Sequence, residues 1–215
     1  MKQGFEALIA GYRRFHDSGW TTQRERWAAL SAAQAPQVMV IACSDSRVDP
    51  AQIFDTSPGE MFVVRNVAAL VPPFERGGGH HGVSAALEFA VTQLEVRDIV
   101  VMGHGACGGV SAALSRRFEA SAPGDGGFIH DWMALLDQAR QRVMAEHGDG
   151  PDAVAALERE SVRVSLANLR SFPFIAPREA AGTLRLHGAI FSIADGLLSL
   201  LDPADGSFGP VTSGQ

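Results

Sequence analysis

The sequence is poor in cysteine, in long apolar runs and in net positive charge. Two cysteines among 215 residues are too few for a disulfide-stabilised scaffold, so a thiol beside other polar groups indicates catalysis or metal binding. No stretch approaches the ~18 apolar residues of a membrane span. The first twenty residues also lack the apolar core and cleavage site of a signal peptide. We therefore expect a cytoplasmic protein without a membrane partner.

The charge balance argues against a nucleic-acid partner. The net charge is −6, and no run of like charge exceeds a few residues, so the chain lacks the basic surface that binds phosphate backbones. With 46% hydrophobic and 20% charged residues, the composition is typical of a globular domain with a sizeable core. We predict a single domain over residues 1–215, because no convincing boundary interrupts it.

The order of apolar segments predicts an α/β fold with a mostly parallel central sheet flanked by helices. Three segments, 37–43, 60–66 and 98–104, are apolar at consecutive positions, as in strands covered on both faces. The segment 183–193 alternates instead, which predicts a strand at an edge of the sheet, and 197–201 is a further candidate strand. Helical spacing predicts helices over 3–17, 21–33, 81–95, 109–118, 128–147 and 152–171. Residues 203–215 are expected to form a loose tail.

Three potential metal ligands follow the predicted strands. Cys43 ends the first strand, His104 ends the third, and Cys107 lies in the glycine-rich turn GHGACGG (103–109). Because the carboxyl ends of parallel strands share one edge of the sheet, we expect these side chains to meet there. Two thiolates and an imidazole suit zinc, and three protein ligands leave a fourth position for water, as in catalytic sites.

Other interpretations of the same residues remain open. Either cysteine could be a small core residue, or the two could form a disulfide, which leaves His104 unexplained. A Cys43–His104 nucleophile pair would leave Cys107 without a role. A redox sensor or a non-catalytic zinc module would need no carboxylate and arginine beside the first ligand.

Asp45 and Arg47 come directly after Cys43 in the segment CSDSR. Asp45 is near enough either to bind the metal or to hydrogen-bond a water on it. Arg47 can hold that carboxylate in a bidentate grip. An exposed ion pair is the alternative, but such pairs contribute only ~0–1 kcal/mol, which gives no reason for this position.

The combination of these motifs resembles the β-class carbonic anhydrases, whose pattern is C-x-D-x-R followed by H-x-x-C. The resemblance extends over roughly residues 30–200, and it differs at Gly105, where the family often has Ser or Thr. It includes QAP (34–36), PGEMFVVRNVA (58–68), VSAALEFAV (83–91) and LHGAIFSIADG (186–196).

The resemblance implies a zinc lyase that reversibly hydrates CO2 to bicarbonate and a proton through a hydroxide on one Zn2+ per chain. Cys43, His104 and Cys107 match the zinc ligands, and Asp45 and Arg47 match the catalytic pair. The substrate-pocket positions are matched by Gln34, Phe62, Val67, Phe89 and Gly108. Carbonyl sulfide or carbon disulfide hydrolysis at the same site is the alternative activity.

The family builds this site at the interface of an intimate dimer. The resemblance therefore implies that residues 1–34 form a helical arm that packs on a dimer partner, in a homodimer or a homotetramer formed as a dimer of dimers. His80 and His81 are candidate proton relays in the loop RGGGHHG.

Some family members are closed by the aspartate when bicarbonate fills a pocket of Trp, Arg and Tyr. Here Val40, Arg65 and Phe191 stand at those positions, so only the arginine is kept. We therefore predict an open site in which Asp45 pairs with Arg47 and Arg65 has a structural role.

Overall fold

One mixed sheet forms the centre of the fold in the computed structural model, which describes residues 4–77 and 79–212. Its strands are β1 (Val38–Cys43), β2 (Met61–Asn66), β3 (Asp98–His104), β4 (Arg185–Phe191), β5 (Leu198–Leu201) and β6 (Phe208–Pro210). They lie in the order β2-β1-β3-β4-β5-β6. The first four strands pair in parallel, and β5 and β6 continue the sheet antiparallel. The predicted α/β class and mostly parallel sheet are confirmed.

The two central parallel strands are buried because helices cover them. Met39 and Ile41 in β1 and Ile99 and Val101 in β3 have no exposed surface. Consecutive apolar positions are what a strand covered on both faces requires, so the pattern found in the sequence has its physical cause here. The parallel register places the ends of β1 and β3 at the same edge of the sheet.

Helices connect the strands and flank the sheet. They are α1 (Phe5–Arg14), α2 (Arg24–Ala32), α3 (Pro50–Ile53), α4 (Gly82–Glu88), α5 (Gly108–Leu114), α6 (Gly127–Met133), α7 (Asp137–His147), α8 (Pro151–Leu169) and α9 (Ala176–Ala180). Wider π-helical turns extend α1 over Phe15–Trp20 and α4 over Phe89–Gln93. Two short helices, α3 and α9, were not expected from the sequence.

The longest helix, α8, packs directly on β3 and β4. A glycine makes the close approach possible: a Cβ on Gly103 would lie 2.8 Å from both Val162 Cγ2 and Ile190 Cδ1. Val162 belongs to α8, so the absence of a side chain at Gly103 lets the helix lie against the end of β3. This packing determines which α8 side chains reach the carboxyl edge of the sheet.

The carboxyl-terminal part of the chain differs from the sequence expectation in two ways. The prediction that 183–193 is an edge strand is wrong, because β4 pairs with β3 on one side and with β5 on the other. The segment expected as a loose tail contains β6, which pairs with β5; residues 213–215 lie outside the described part. Arg185 and His187, which are exposed in the first half of β4, produced the misleading alternation.

The chain divides into two compact units, residues 1–35 and 36–215. The first contains α1 and α2, and the large apolar side chains of α1 are mostly exposed, with Phe5 72%, Leu8 64% and Tyr12 60% accessible. The second contains the sheet. Among the described residues, no helix has the length and apolar composition needed to cross a membrane.

Candidate metal centre

Cys43, His104 and Cys107 converge at the carboxyl edge of the sheet. Cys43 is the last residue of β1 and His104 the last of β3, while Cys107 precedes α5. Their donor atoms all lie within 4.8 Å of one another, and all three side chains are buried. In a tetrahedral zinc site with bonds of about 2.0–2.3 Å, ligand atoms are roughly 3.3–3.8 Å apart. A small contraction of this group would therefore give zinc geometry.

The imidazole of His104 is arranged as a metal ligand. Its Nδ1 lies 2.9 Å from the carbonyl oxygen of Gly105, to which it can donate its proton. Its Nε2 is buried and has no hydrogen-bond partner among the described residues. A buried nitrogen of this kind is costly unless something binds it, and a carbonyl on the other ring nitrogen is the usual support of a metal-ligating histidine.

The contact between the two thiols favours an anionic sulfur at Cys43, the form in which a cysteine binds zinc. The Cys107 thiol beside Cys43 lowers the pKa of Cys43 to about 4, and His104 contributes in the same direction against burial. The same pairing, together with burial, raises the pKa of Cys107. Both cysteines are free thiols, so the disulfide alternative is not present. The donor set therefore fits zinc in its chemistry as well as in its geometry.

Asp45 is held beside the three candidate ligands by Arg47. The guanidinium donates to both carboxylate oxygens, with Nε 2.9 Å from Oδ1 and Nη2 2.7 Å from Oδ2. These contacts hold the pKa of Asp45 well below its usual range, so the side chain is a carboxylate. Its Oδ2 lies 4.0 Å from His104 Nε2. The predicted pairing of Asp45 with Arg47 is present.

The segment of residues 43–49, here called the first ligand loop, is fixed by Arg65 of β2. Arg65 donates from Nε to the Cys43 carbonyl at 2.9 Å and from Nη2 to the Asp45 carbonyl at 2.6 Å. Its Nη1 pairs with the Asp49 carboxylate at 3.2 Å, and Asp49 also accepts from the amide of Ala51 at the start of α3. Arg65 therefore has the structural role expected from the sequence.

Residues 105–107, here called the second ligand loop, connect His104 to Cys107 through a strained backbone. Ala106 has φ of +56°, a left-handed conformation that costs a non-glycine residue about 1–2 kcal/mol. Its carbonyl oxygen accepts a hydrogen bond from Arg47 Nη2 at 3.1 Å. Arg47 thus ties the two ligand loops together in addition to holding Asp45.

A residue that sequence reasoning missed, Glu158, lies behind the second ligand loop. Its Oε1 accepts the backbone amide of Cys107 at 2.9 Å, and the side chain is only 6% exposed. Burial raises the pKa of Glu158, while the amides of Cys107 and Ala106 oppose that change. The available signal was its position on the buried face of α8, one residue after Leu157 and three before Ser161.

Of the residues matched to the substrate pocket, Val67 and Gly108 lie at the turn that carries Cys107, whereas Phe62 and Phe89 contact each other. Val67 lies against the turn that carries Cys107, because a Cβ on Gly109 would lie 2.9 Å from Val67 Cγ1. Gly108 begins α5 and has open space where a side chain would be. The rings of Phe62 and Phe89 lie 5.9 Å apart, and Phe89 is 44% exposed.

The observed contacts do not test the roles of three further candidates, Gln34, His80 and His81. Gln34 belongs to the unit of residues 1–35, so its place in the pocket stays a prediction. His81 contacts the carbonyl of Gly77 at 3.2 Å in its own loop. The relay role of His80 and His81 also stays a prediction.

Comparisons with known proteins agree on one family. Residues 38–198 match the family model described as carbonic anhydrase. Beta carbonic anhydrase 3 of Arabidopsis thaliana is 34% identical over 197 residues, which cover 91% of this chain and 76% of the relative. The structure of the beta-carbonic anhydrase CcaA is 32% identical with a TM-score of 0.88, over 96% of this chain and 98% of that one. One of two tetrameric beta-carbonic anhydrases of Sordaria macrospora is 29% identical with a TM-score of 0.79, over 95% and 98%.

Proposed function

Since this chain belongs to the β-class carbonic anhydrases, we propose that it catalyses the reversible hydration of CO2 to bicarbonate and a proton. One zinc ion per chain would be held by Cys43, His104 and Cys107. The observation that carries this proposal is the convergence of three buried donor atoms within 4.8 Å, one of them a histidine nitrogen without another partner. Zinc in such a site lowers the pKa of bound water far below that of bulk water and so supplies a nucleophile, although two thiolate ligands make that water less acidic than three imidazoles would.

Asp45 would orient the attacking water. As a carboxylate it is acceptor-only, so it can take a hydrogen bond from a water O–H and leave the oxygen lone pair directed at the carbon of CO2. The bidentate contact with Arg47 keeps Asp45 ionised and engages both of its carboxylate oxygens. The proton released from water must then reach buffer, for which His80 and His81 are the candidate relays.

The substrate pocket would be small and apolar, since CO2 is uncharged. Val67, Phe62 and Phe89 would provide its lining, Gly108 would leave room, and Gln34 would offer a single donor. The pocket residues Val67 and Phe89 are 40% and 44% exposed, which supports a pocket completed by another chain. Carbonyl sulfide and carbon disulfide share the linear shape of CO2, so hydrolysis of either is the alternative activity at this site.

The assembly proposed is a homodimer or a dimer of dimers, with the 1–34 arm packed on the partner. Exposed apolar residues along α1 support it, because a helix face of this kind is usually covered. Deleting residues 1–33 should produce aggregation or loss of activity. A soluble and active monomer, seen by light scattering of the truncated protein, would contradict the assembly. A cytoplasmic location stays a prediction from the sequence.

The decisive experiment combines metal analysis with two gas assays. Purified protein should contain about one zinc per chain and should hydrate CO2 in a stopped-flow assay with a pH indicator. Carbonyl sulfide and carbon disulfide are offered to the same preparation, with sulfide release as the measurement. Zinc-loaded protein that releases sulfide but does not accelerate CO2 hydration would replace the proposed function with the alternative one.

A further inference from the structure

Glu158 is a buried acidic side chain that the proposed reaction does not use. Among the described residues it forms no salt bridge, unlike Asp45 and Glu160, which pair with arginines. Its contacts are with the backbone of the second ligand loop instead. Burying a carboxylate is expensive unless donors replace its water. The reason for burying Glu158 should therefore lie in its contact with the backbone of the second ligand loop.

The packing of α8 brings Glu158 to that loop. Gly103 precedes His104 directly, and a Cβ at this glycine would lie 3.7 Å from the Glu158 carbonyl oxygen as well as against Val162. The helix backbone thus runs beside the end of β3. From there the Glu158 carboxylate accepts the Cys107 amide at 2.9 Å, and the Ala106 amide also favours its anionic form.

We propose that Glu158 is a positioning residue of the metal centre, which fixes the backbone of Cys107 so that its sulfur meets the donor atoms of Cys43 and His104. The carboxylate accepts the amide of Cys107, directly after Ala106, and thereby supports the left-handed conformation of Ala106. This inference rests on the proposed zinc site. Partners of metal ligands that orient them typically change metal affinity by about 10–100-fold when they are removed.

A purely structural role would predict a different pattern of substitution. If Glu158 only filled space in the core, leucine would serve as well or better, because it needs no hydrogen-bond donors. If Glu158 positions Cys107, leucine would leave buried amides without an acceptor and free the loop. Glutamine keeps one acceptor oxygen, so it would retain part of the effect.

The test compares Glu158→Leu and Glu158→Gln with Glu160→Gln as the matched control. Glu160 lies on the same helix, but it accepts hydrogen bonds from Arg163 and Arg142 and does not contact the ligand loops. Each protein is loaded with zinc, and the rate of zinc transfer to a chromogenic chelator is measured. The cobalt-substituted forms are then compared by their thiolate-to-cobalt absorption, which reports the geometry of the sulfur ligands.

We expect zinc release about tenfold to 100-fold faster in Glu158→Leu, a smaller increase in Glu158→Gln, and an unchanged rate in Glu160→Gln. The cobalt absorption should change in the same order. Equal release rates and equal spectra in the Glu158 and Glu160 variants would overturn the inference. If Glu158→Leu is insoluble, the Glu158→Gln and Glu160→Gln pair decides by the same criterion. Wild-type protein that binds no zinc would instead refute the proposed function.

Discussion

The two ligand loops are held in place by opposite charges. Arg65, a cation on β2, grips carbonyl oxygens of the first ligand loop, whereas Glu158, an anion on α8, accepts amides of the second. The Arg65 side chain is 28% exposed and Glu158 is 6% exposed as a residue, so water can substitute for the first contact much more easily than for the second. The conformation of the second ligand loop should therefore depend more strongly on its buried partner, Glu158, than that of the first loop depends on Arg65.

Cys107→Ala is expected to have the largest effect, because it removes a metal ligand. The hydrogen bond from the backbone amide of residue 107 to Glu158 stays in place. Zinc affinity should fall by at least about 100-fold, and CO2 hydration should be lost with it. The apo protein should unfold at a similar temperature to the wild-type apo protein. Metal content after dialysis, hydration rate and a melting curve measure these outcomes. Full zinc occupancy in Cys107→Ala would refute the ligand assignment.

Asp45→Asn tests the first ligand loop at its reactive group. The variant should keep zinc but lose about 100-fold or more of the hydration rate, because an amide is not an anionic acceptor and does not hold Arg47. Asp98→Asn is the matched control: Asp98 is also held bidentately by an arginine, Arg185, at the amino end of β3. Near wild-type turnover in zinc-loaded Asp45→Asn would show that Asp45 is only part of an ion pair.

Arg65→Met tests how much the contacts of Arg65 with the first ligand loop contribute to stability. Loss of a guanidinium with three contacts to the first ligand loop should lower the free energy of unfolding by about 1–3 kcal/mol. The control Arg185→Met removes an arginine that is 67% exposed and should cost only ~0–1 kcal/mol. Urea denaturation of the zinc-free proteins measures both. A smaller loss in Arg65→Met than in Arg185→Met would contradict the structural role of Arg65.

The smallest effect expected is that of bicarbonate on the state of the site. The Arg65 guanidinium is already engaged by the Cys43 carbonyl, the Asp45 carbonyl and Asp49, and Val40 and Phe191 offer no polar contact. Without differential binding to a closed state, bicarbonate cannot shift the population toward it. Inhibition should therefore be non-cooperative at neutral pH. A sigmoidal inhibition curve, or a crystal near pH 7 with Asp45 on the metal, would contradict this.

The sequence predicted the parts of this molecule that repeat a simple physical pattern. Strands β1 and β3 follow from consecutive apolar residues, and the convergence of Cys43 with His104 follows from the shared edge of parallel strands. The position of β4 could not be read in the same way, because exposed Arg185 and His187 give it the alternation of an edge strand although it pairs with β3 on one side and β5 on the other. Glu158 was missed because an acidic residue on a helix normally faces water, and its place beside the buried positions of α8 is a weaker signal than its charge.

The left-handed Ala106 has a consequence for how this protein could change under selection or engineering. Glycine would adopt that conformation without the cost of about 1–2 kcal/mol but would lose about 0.5–1 kcal/mol more chain entropy on folding, so replacing Ala106 by glycine should raise the stability slightly. Glycine would also widen the range of conformations open to the segment before Cys107. Alanine at this position thus lowers the stability of the fold slightly and restricts the conformation of the segment before Cys107. Selection for heat resistance alone would favour glycine there.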